Sequence, residues 1–348
     1  MLHSSLSQFM GHSILPRSSV LLGSGPSSLA LDLISSTPGL ITDQGWMQYA
    51  FMFPTAICVS TCAITAGIGG AALFAPIFLI LFPILGPDYT ISSPAAAVAT
   101  AILTESFGFG SGLLGYYKRG LIDYRLALPF LCVSVPASAL AASSIAQLLS
   151  PLFLKVIYTA LMLSLSFYLL SGSTGNDARD SDEATLNGSK QKSDEGVHTV
   201  VDSSGNNYTY SLDARSSFGA PTALLTAFGG LLTGALGVGI GEVVLPNLLS
   251  RAIPLSVAAA TSTLVVALTA WAAAFFQLKE LAETTTGGML AVVPVNLVAF
   301  LIPGVLIGGQ VASRLQGRVG QVLLERMVGI LFGLIGLGFG TIVGKSIF

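Results

Sequence analysis

An all-α polytopic membrane protein is the fold class that this sequence predicts, and three observations predict it. Of 348 residues, 52% are hydrophobic and only 9% are charged, against about 25% charged in an ordinary soluble domain. Mean hydropathy is +0.78. The apolar residues also gather into long uninterrupted segments rather than spreading over the chain. A soluble fold of this size needs more polar surface, and a disordered chain has fewer apolar residues than this. The bilayer is the solvent that suits such a chain, and the sequence predicts a multi-pass protein of the cell membrane, with an organelle membrane as the alternative.

The elements follow in order. Residues 1–45 form a polar tail rich in Ser, Pro and Gly, with Arg17 its only base and no acid before Asp32. It reads as a disordered tail, with a Ser-rich, acid-poor transit peptide as the alternative; a signal peptide is not expected, because no basic n-region precedes a clean apolar run. Apolar segments then cover 46–85, 91–117, 124–147, 151–171, 217–250, 254–279, 287–313 and 319–344. A crossing takes about 20 residues, and in lipid the backbone must satisfy its own hydrogen bonds, so these are expected as helices. Segments 46–85 and 217–250 are too long for one upright crossing, and a glycine cluster cuts each of them. A helix followed by a half-helix, or a re-entrant hairpin, fits both length and break.

Residues 172–216 separate a first membrane repeat (46–171) from a second (217–348) and read as a polar extramembrane loop. This loop holds eight acids and four bases. Within it, 197–201 and 208–212 flank a turn-rich stretch and suggest a small hairpin. Asn187 and Asn207 begin glycosylation sequons that carry meaning only outside the cytoplasm. If all eight segments cross, the side holding the loop carries 10 of the 15 Lys and Arg; if the broken segments re-enter, it carries 11. Either count puts the loop on the cytoplasmic side.

The two blocks resemble each other. Gly67-Ile-Gly69, six residues and Pro76 recur 170 residues later as Gly237-Val-Gly239, six residues and Pro246. Ala95–Thr100 matches Val257–Thr261, and Pro136 matches Pro303. Paired interruptions in corresponding segments of two halves point to a transporter's binding site.

The stretches Gly67-Ile-Gly-Gly-Ala-Ala-Leu-Phe-Ala-Pro76, Gly230-Leu-Leu-Thr-Gly-Ala-Leu-Gly-Val-Gly-Ile-Gly-Glu-Val-Val-Leu-Pro246, Ala258-Ala-Ala-Thr-Ser262 and Gly115-Tyr-Tyr-Lys-Arg-Gly-Leu-Ile-Asp-Tyr124 together resemble the sulfite exporter TauE/SafE family. The resemblance spans residues 46–345 and leaves the tail and the long loop unmatched. It implies an integral membrane transporter of small anions, typically sulfite or organosulfonates, built from two repeats of about four helices each. Ala71 departs from the glycine that many members carry there, which would narrow or stiffen the first break.

The candidate substrate-binding residues are Gly67, Gly69, Gly70, Ala71, Thr100, Gly237, Gly239, Gly241, Glu242, Thr261 and Ser262. A half-helix starting at a glycine break points free N–H groups and the positive end of its dipole into the cavity, an anion site made without a lysine. The competing reading is that these glycines only let helices pack closely. That packing reading is preferred for Gly333, Gly336, Gly338 and Gly340. Glu242, directly after the second break, and Glu105, deep in the second segment, are the candidate proton-coupling residues. A carboxyl inside a membrane segment is costly and rare; either one also admits a purely structural role. Thr100, Thr261 and Ser262 are candidate anion donors, although such hydroxyls commonly bond their own helix. Asn247 and Asn296 have similar standing. Lys118, Arg119, Arg125, Arg314 and Arg318 sit at membrane edges as topology determinants or an electrostatic funnel. Trp46, Tyr49, Tyr116 and Tyr117 read as interfacial anchors.

Other chemistry is disfavoured. His3, His12 and His198 all lie outside the apolar segments, so no intramembrane nucleophile–histidine pair forms, and no enzyme is expected. No nucleotide motif appears, and no cofactor is called for. Cys58 and Cys62 share a helix face with no His or acid to complete a metal site. No basic stripe suggests nucleic acid. The partners expected are a small anion and the lipid bilayer, with a homo-oligomer compatible with both. The function expected is a secondary anion transporter, proton-coupled through Glu242 and Glu105. Two alternatives remain: an uncoupled anion channel or uniporter, and a membrane receptor or scaffold working through the 172–216 loop.

Overall fold

The computed structural model describes residues 47–145, 151–171, 197–203, 205, 207–211, 218–251, 253–284, 293–316 and 321–347. The tail, Trp46, Asn187 and Arg318 lie outside the described residues, as does most of the long loop.

Among the described residues the main helical stretches follow the apolar segments: α1 Met52–Ala66, α2 Ala71–Leu85, α3 Pro94–Arg119, α4 Tyr124–Leu140, α5 Pro151–Leu170, α6 Ala220–Leu236, α7 Ile240–Leu249, α8 Leu255–Thr284, α9 Val295–Leu315 and α10 Gln321–Ile347. Among the described residues, four helices are long and apolar enough to cross a membrane, Pro94–Arg119, Tyr124–Ser144, Leu255–Glu283 and Val295–Leu315. The shorter apolar helices include α1, α2, α6 and α7, which flank the two breaks. The chain is an integral membrane protein.

Local chemistry sets the boundaries. Ser93 caps α3, its hydroxyl accepting from the Ala96 amide at 3.1 Å, with Pro94 in the first turn where a missing N–H costs nothing. Asp123 caps α4 by accepting from the Arg125 and Leu126 amides at 2.8 and 3.3 Å. Pro76 lies inside α2 and is followed by a wide π turn over Ile77–Leu81, the local adjustment expected where proline removes a helical bond. Gly67 closes α1 at φ 67° and Gly237 closes α6 at φ 79°, left-handed conformations that a Cβ disfavours.

The packing is reciprocal. α1 lies against α9 while α6 lies against α4; α3 also meets α9, and α8 meets α4; α3 packs on α8 and α5 on α10. Burial orders these layers. In α3 and α8, 78% and 83% of the most apolar stretch is buried, against 39% in α4 and α9, so α3 and α8 form the centre and α4 and α9 the flanks. Phe107, Leu114, Phe275 and Leu337 remain exposed, as lipid-facing side chains do.

Close helix approach is confined to particular glycines. A Cβ on Gly333 or Gly336 would come within 2.8 Å of Ser166 or 2.9 Å of Leu163 on α5, in line with packing. At Gly338 and Gly340 it would meet only ordinary contacts of 3.7 and 3.6 Å. Tyr49 and Tyr116 are buried in the protein rather than standing at a lipid interface, with the Tyr116 hydroxyl donating to Gln316 at 3.1 Å; Tyr117 is exposed.

The hairpin in the long loop is formed by β1 Val197–Val201 and β2 Asn207–Ser211, antiparallel, with Val200 opposite Tyr208. It docks on the turn joining α3 and α4. Arg119 pairs with the buried Asp202 at 3.3 Å and donates to the Ser313 carbonyl at 2.5 Å, so it is committed to structure rather than free to form a funnel. The Tyr210 hydroxyl donates to Asp123 Oδ2 at 2.5 Å. Burial first, and then the bond to Asp123, push the Tyr210 hydroxyl well above the usual tyrosine range. A raised folded value means this contact contributes fully below the unfolded value of about 10 and is lost as pH rises from there through the raised value. Proteolysis of residues 197–211 is therefore expected to accelerate above about pH 10, and Tyr210→Phe should remove that pH step while raising the rate at neutral pH. A pH-independent rate in wild type would contradict the contact's role.

Candidate functional site

The two glycine breaks meet face to face. The first runs from Gly67 to Gly70, between α1 and α2; the second runs from Gly237 to Gly239, between α6 and α7. A Cβ on Gly241 would stand 2.8 Å from the Gly67 carbonyl and 3.2 Å from the Gly69 amide. One on Gly69 would stand 3.4 Å from the Gly237 carbonyl, and one on Gly237 would stand 2.7 Å from the Ala71 methyl. Ala71 is thus accommodated because the residue opposite is glycine, and its methyl fills the crossing instead of opening it.

Two carboxyls occupy this crossing. The Gly239 N–H donates to Glu242 Oε2 at 3.0 Å, the usual return of an acid in the first helical turn to its own cap. The other oxygen reaches across: the Gly69 N–H donates to Glu242 Oε1 at 3.3 Å. From α3, Glu105 Oε1 accepts from the Gly70 N–H at 2.9 Å, and the Ala71 amide also faces this carboxyl. Glu105 Oε1 and Glu242 Oε1 lie 3.2 and 3.8 Å from the place where a Gly69 Cβ would be, so both carboxyls reach one point. Glu105 Oε2 is buried with no hydrogen-bond partner among the described residues. Neither acid takes part in an ion pair among the described residues.

Supporting groups hold the second break in shape, and the sequence reading had not singled them out. Thr233 donates to the Gly229 carbonyl at 2.9 Å and accepts from the Ile240 N–H at 3.0 Å, fixing the start of α7 against the end of α6. The buried Gln277 of α8 donates to the Gly234 carbonyl at 3.0 Å. The Tyr158 hydroxyl of α5 donates to the Leu236 carbonyl and stands within electrostatic reach of Glu105 and Glu242. Carbonyls left over at a helix end need such donors when no water reaches them. The available signal was a lone polar side chain inside an apolar stretch, the same signal that marked Glu105.

Not every candidate comes to the crossing. Gly67, Gly69, Gly70, Ala71, Gly237, Gly239, Gly241, Glu105 and Glu242 are brought together. Thr100 is buried and spends its hydroxyl on the Ala96 carbonyl at 2.7 Å. Thr261 accepts from the Asp123 N–H at 3.1 Å and so ties α8 to the start of α4. Thr100 thus has its O–H engaged by its own helix, whereas Thr261 is engaged only as an acceptor and keeps its O–H. Ser262 is buried with its hydroxyl unpartnered among the described residues, as is Asn247 Oδ1. Asn296 accepts from the neighbouring Leu297 amide at 3.0 Å, within the first turn of α9.

The arrangement is a frame of backbone amides that holds two carboxyls at the meeting of two broken helices. The family model described as sulfite exporter TauE/SafE matches residues 52–339. No curated protein and no solved structure matches the chain. The matched span covers both breaks, α3 with Glu105 and α7 with Glu242, and the chain belongs to the sulfite exporter TauE/SafE family of membrane transporters.

Proposed function

We propose that this protein is a secondary transporter that moves a small anion, sulfite or an organosulfonate, together with protons across the cell membrane. The observation that carries the reading is the bridge made by Glu242, one oxygen on an amide of each break. Amides at a helix start form an anion site. Two carboxyls at that site, with no cation among the described residues paired to them, offer a place where a proton can be held and exchanged. The reciprocal packing of α1 on α9 and α6 on α4 supports two repeats, 46–171 and 217–348, working against each other around the crossing. In this reading Glu242 carries the coupled proton, Glu105 assists it, and Ser262 stays a candidate donor.

The test is uptake of labelled sulfite by liposomes containing the purified protein, with and without an inward proton gradient. Wild type is expected to show gradient-dependent uptake, and Glu242→Gln to lower that component by roughly 100-fold, the scale of losing one acid–base group. Uptake indifferent to both gradient and substitution would favour an uncoupled channel and remove the proton role. No sulfite uptake by folded protein would overturn the transport reading for this anion.

A further inference from the structure

Resting on the transport reading above, we propose that the Glu242 carboxylate is a tethered stand-in for the transported anion, so that anion and carboxylate compete for the same amides. When the anion arrives, the carboxylate must leave the Gly69 and Gly239 N–H groups, and it leaves by taking a proton. For a monoanion, one proton enters for the one carboxylate charge that it replaces. The site's charge is then unchanged, and coupling follows from mutual exclusion.

Three observations carry this inference. First, the contacts are those of a ligand. Helix capping alone explains the bond from the Gly239 N–H to Oε2, which closes within the first turn of α7. It does not explain why the second oxygen crosses to the Gly69 N–H of the other break. Second, Glu105 Oε2 is buried and unpartnered at the same crossing, its sister oxygen already accepting from Gly70. It is an acceptor waiting for an O–H, which a protonated Glu242 or an incoming protonated oxyanion supplies. Third, removal of the carboxylate leaves the Gly69 and Gly239 N–H groups without their acceptor, and a donor inside the protein with no partner is unfavourable. An empty site is therefore unfavourable, and the exchange of one anion for another avoids it.

The same geometry states the class of ligand. Glu242 meets two amides from different segments with two oxygens on one carbon. Sulfite, sulfonates and carboxylates also present two oxygens on one atom and can span the same pair. A halide is a single atom and cannot offer a separate oxygen to each amide. The ionisable groups facing Glu242 are Glu105 from α3 and Tyr158 from α5. α2 and α6 carry none, α1 carries Cys58 and Cys62, and those of α8, Lys279, Glu280 and Glu283, fall in its last turns.

The test is calorimetric binding of methanesulfonate, whose own charge is constant across the range, to full-length protein in nanodiscs between about pH 5 and 8. Chloride is the comparison, and buffers of different ionisation enthalpy count the protons. Wild type is expected to bind methanesulfonate more tightly as pH falls, by about tenfold per unit where the carboxyl titrates, with one proton taken up. Chloride is expected to compete weakly. Glu242→Gln should bind methanesulfonate at pH 8 as tightly as wild type does at pH 5, without proton uptake. If that variant does not fold, the proton count in wild type decides alone. Protein that takes up sulfite in liposomes but binds methanesulfonate without a proton, or not at all, overturns the stand-in role and leaves transport standing. Protein that neither takes up sulfite nor binds methanesulfonate overturns both.

Discussion

Gly241→Ala is expected to abolish sulfite uptake while leaving the protein folded. Judged from the helix alone, the change should help: alanine is better than glycine in a helical turn by about 1 kcal/mol. The tertiary structure reverses the sign. The added methyl would stand 2.8 Å from the Gly67 carbonyl, 3.2 Å from the Gly69 amide and 3.4 Å from the Ile68 carbonyl carbon, all of them backbone. No rotamer change relieves such contacts, so the two breaks must move apart. The bond from the Gly69 N–H to Glu242 Oε1 is already 3.3 Å long and is the first to fail. A displacement of about 1 Å at a site of this kind costs on the order of 100-fold in rate. Helical content and a single symmetric elution peak should match wild type, and the uptake assay should fall to background. Undiminished uptake would show that the two breaks need not touch.

Gly234→Val is expected to prevent stable folding, a different failure from the first. A Cβ at Gly234 would stand 2.1 Å from the Ser138 carbonyl oxygen and 2.9 Å from the Ala141 methyl, where α6 meets the end of α4. Helices in lipid gain little from the hydrophobic effect between themselves and rely on close backbone approach. Overpacking such a seam costs at least about 1–3 kcal/mol. The carbonyl of Gly234 is also the acceptor for Gln277, so a shifted α6 strands a buried amide. The variant should melt at lower temperature than wild type or aggregate on extraction. Gly338→Ala is the control, since its Cβ meets nothing nearer than 3.7 Å, and its melting temperature should change little. Equal behaviour of the two variants would refute the assignment of the α4–α6 seam.

Much of this protein is written in its order of residues. The hydropathy of the segments places the helices because bilayer crossing depends on length and apolarity, both linear properties of the chain. Gly67 and Gly237 mark the breaks because only a residue without a Cβ readily ends a helix in the left-handed conformation, here at φ 67° and 79°. Glu242 and Glu105 stand out because a carboxyl in an apolar run is costly wherever it falls. What the order of residues does not decide is partnership. Thr100, Thr261 and Ser262 look alike along the chain. Yet the first bonds its own helix, the second accepts from Asp123, and the third is buried without a partner among the described residues. Arg119 looks like a free surface base until Asp202, 83 residues away, is seen to hold it. Above all, an amide of the first break, that of Gly69, serves the acid of the second. That contact spans 173 residues, and only the folding of the two breaks onto each other brings the groups within hydrogen-bonding distance.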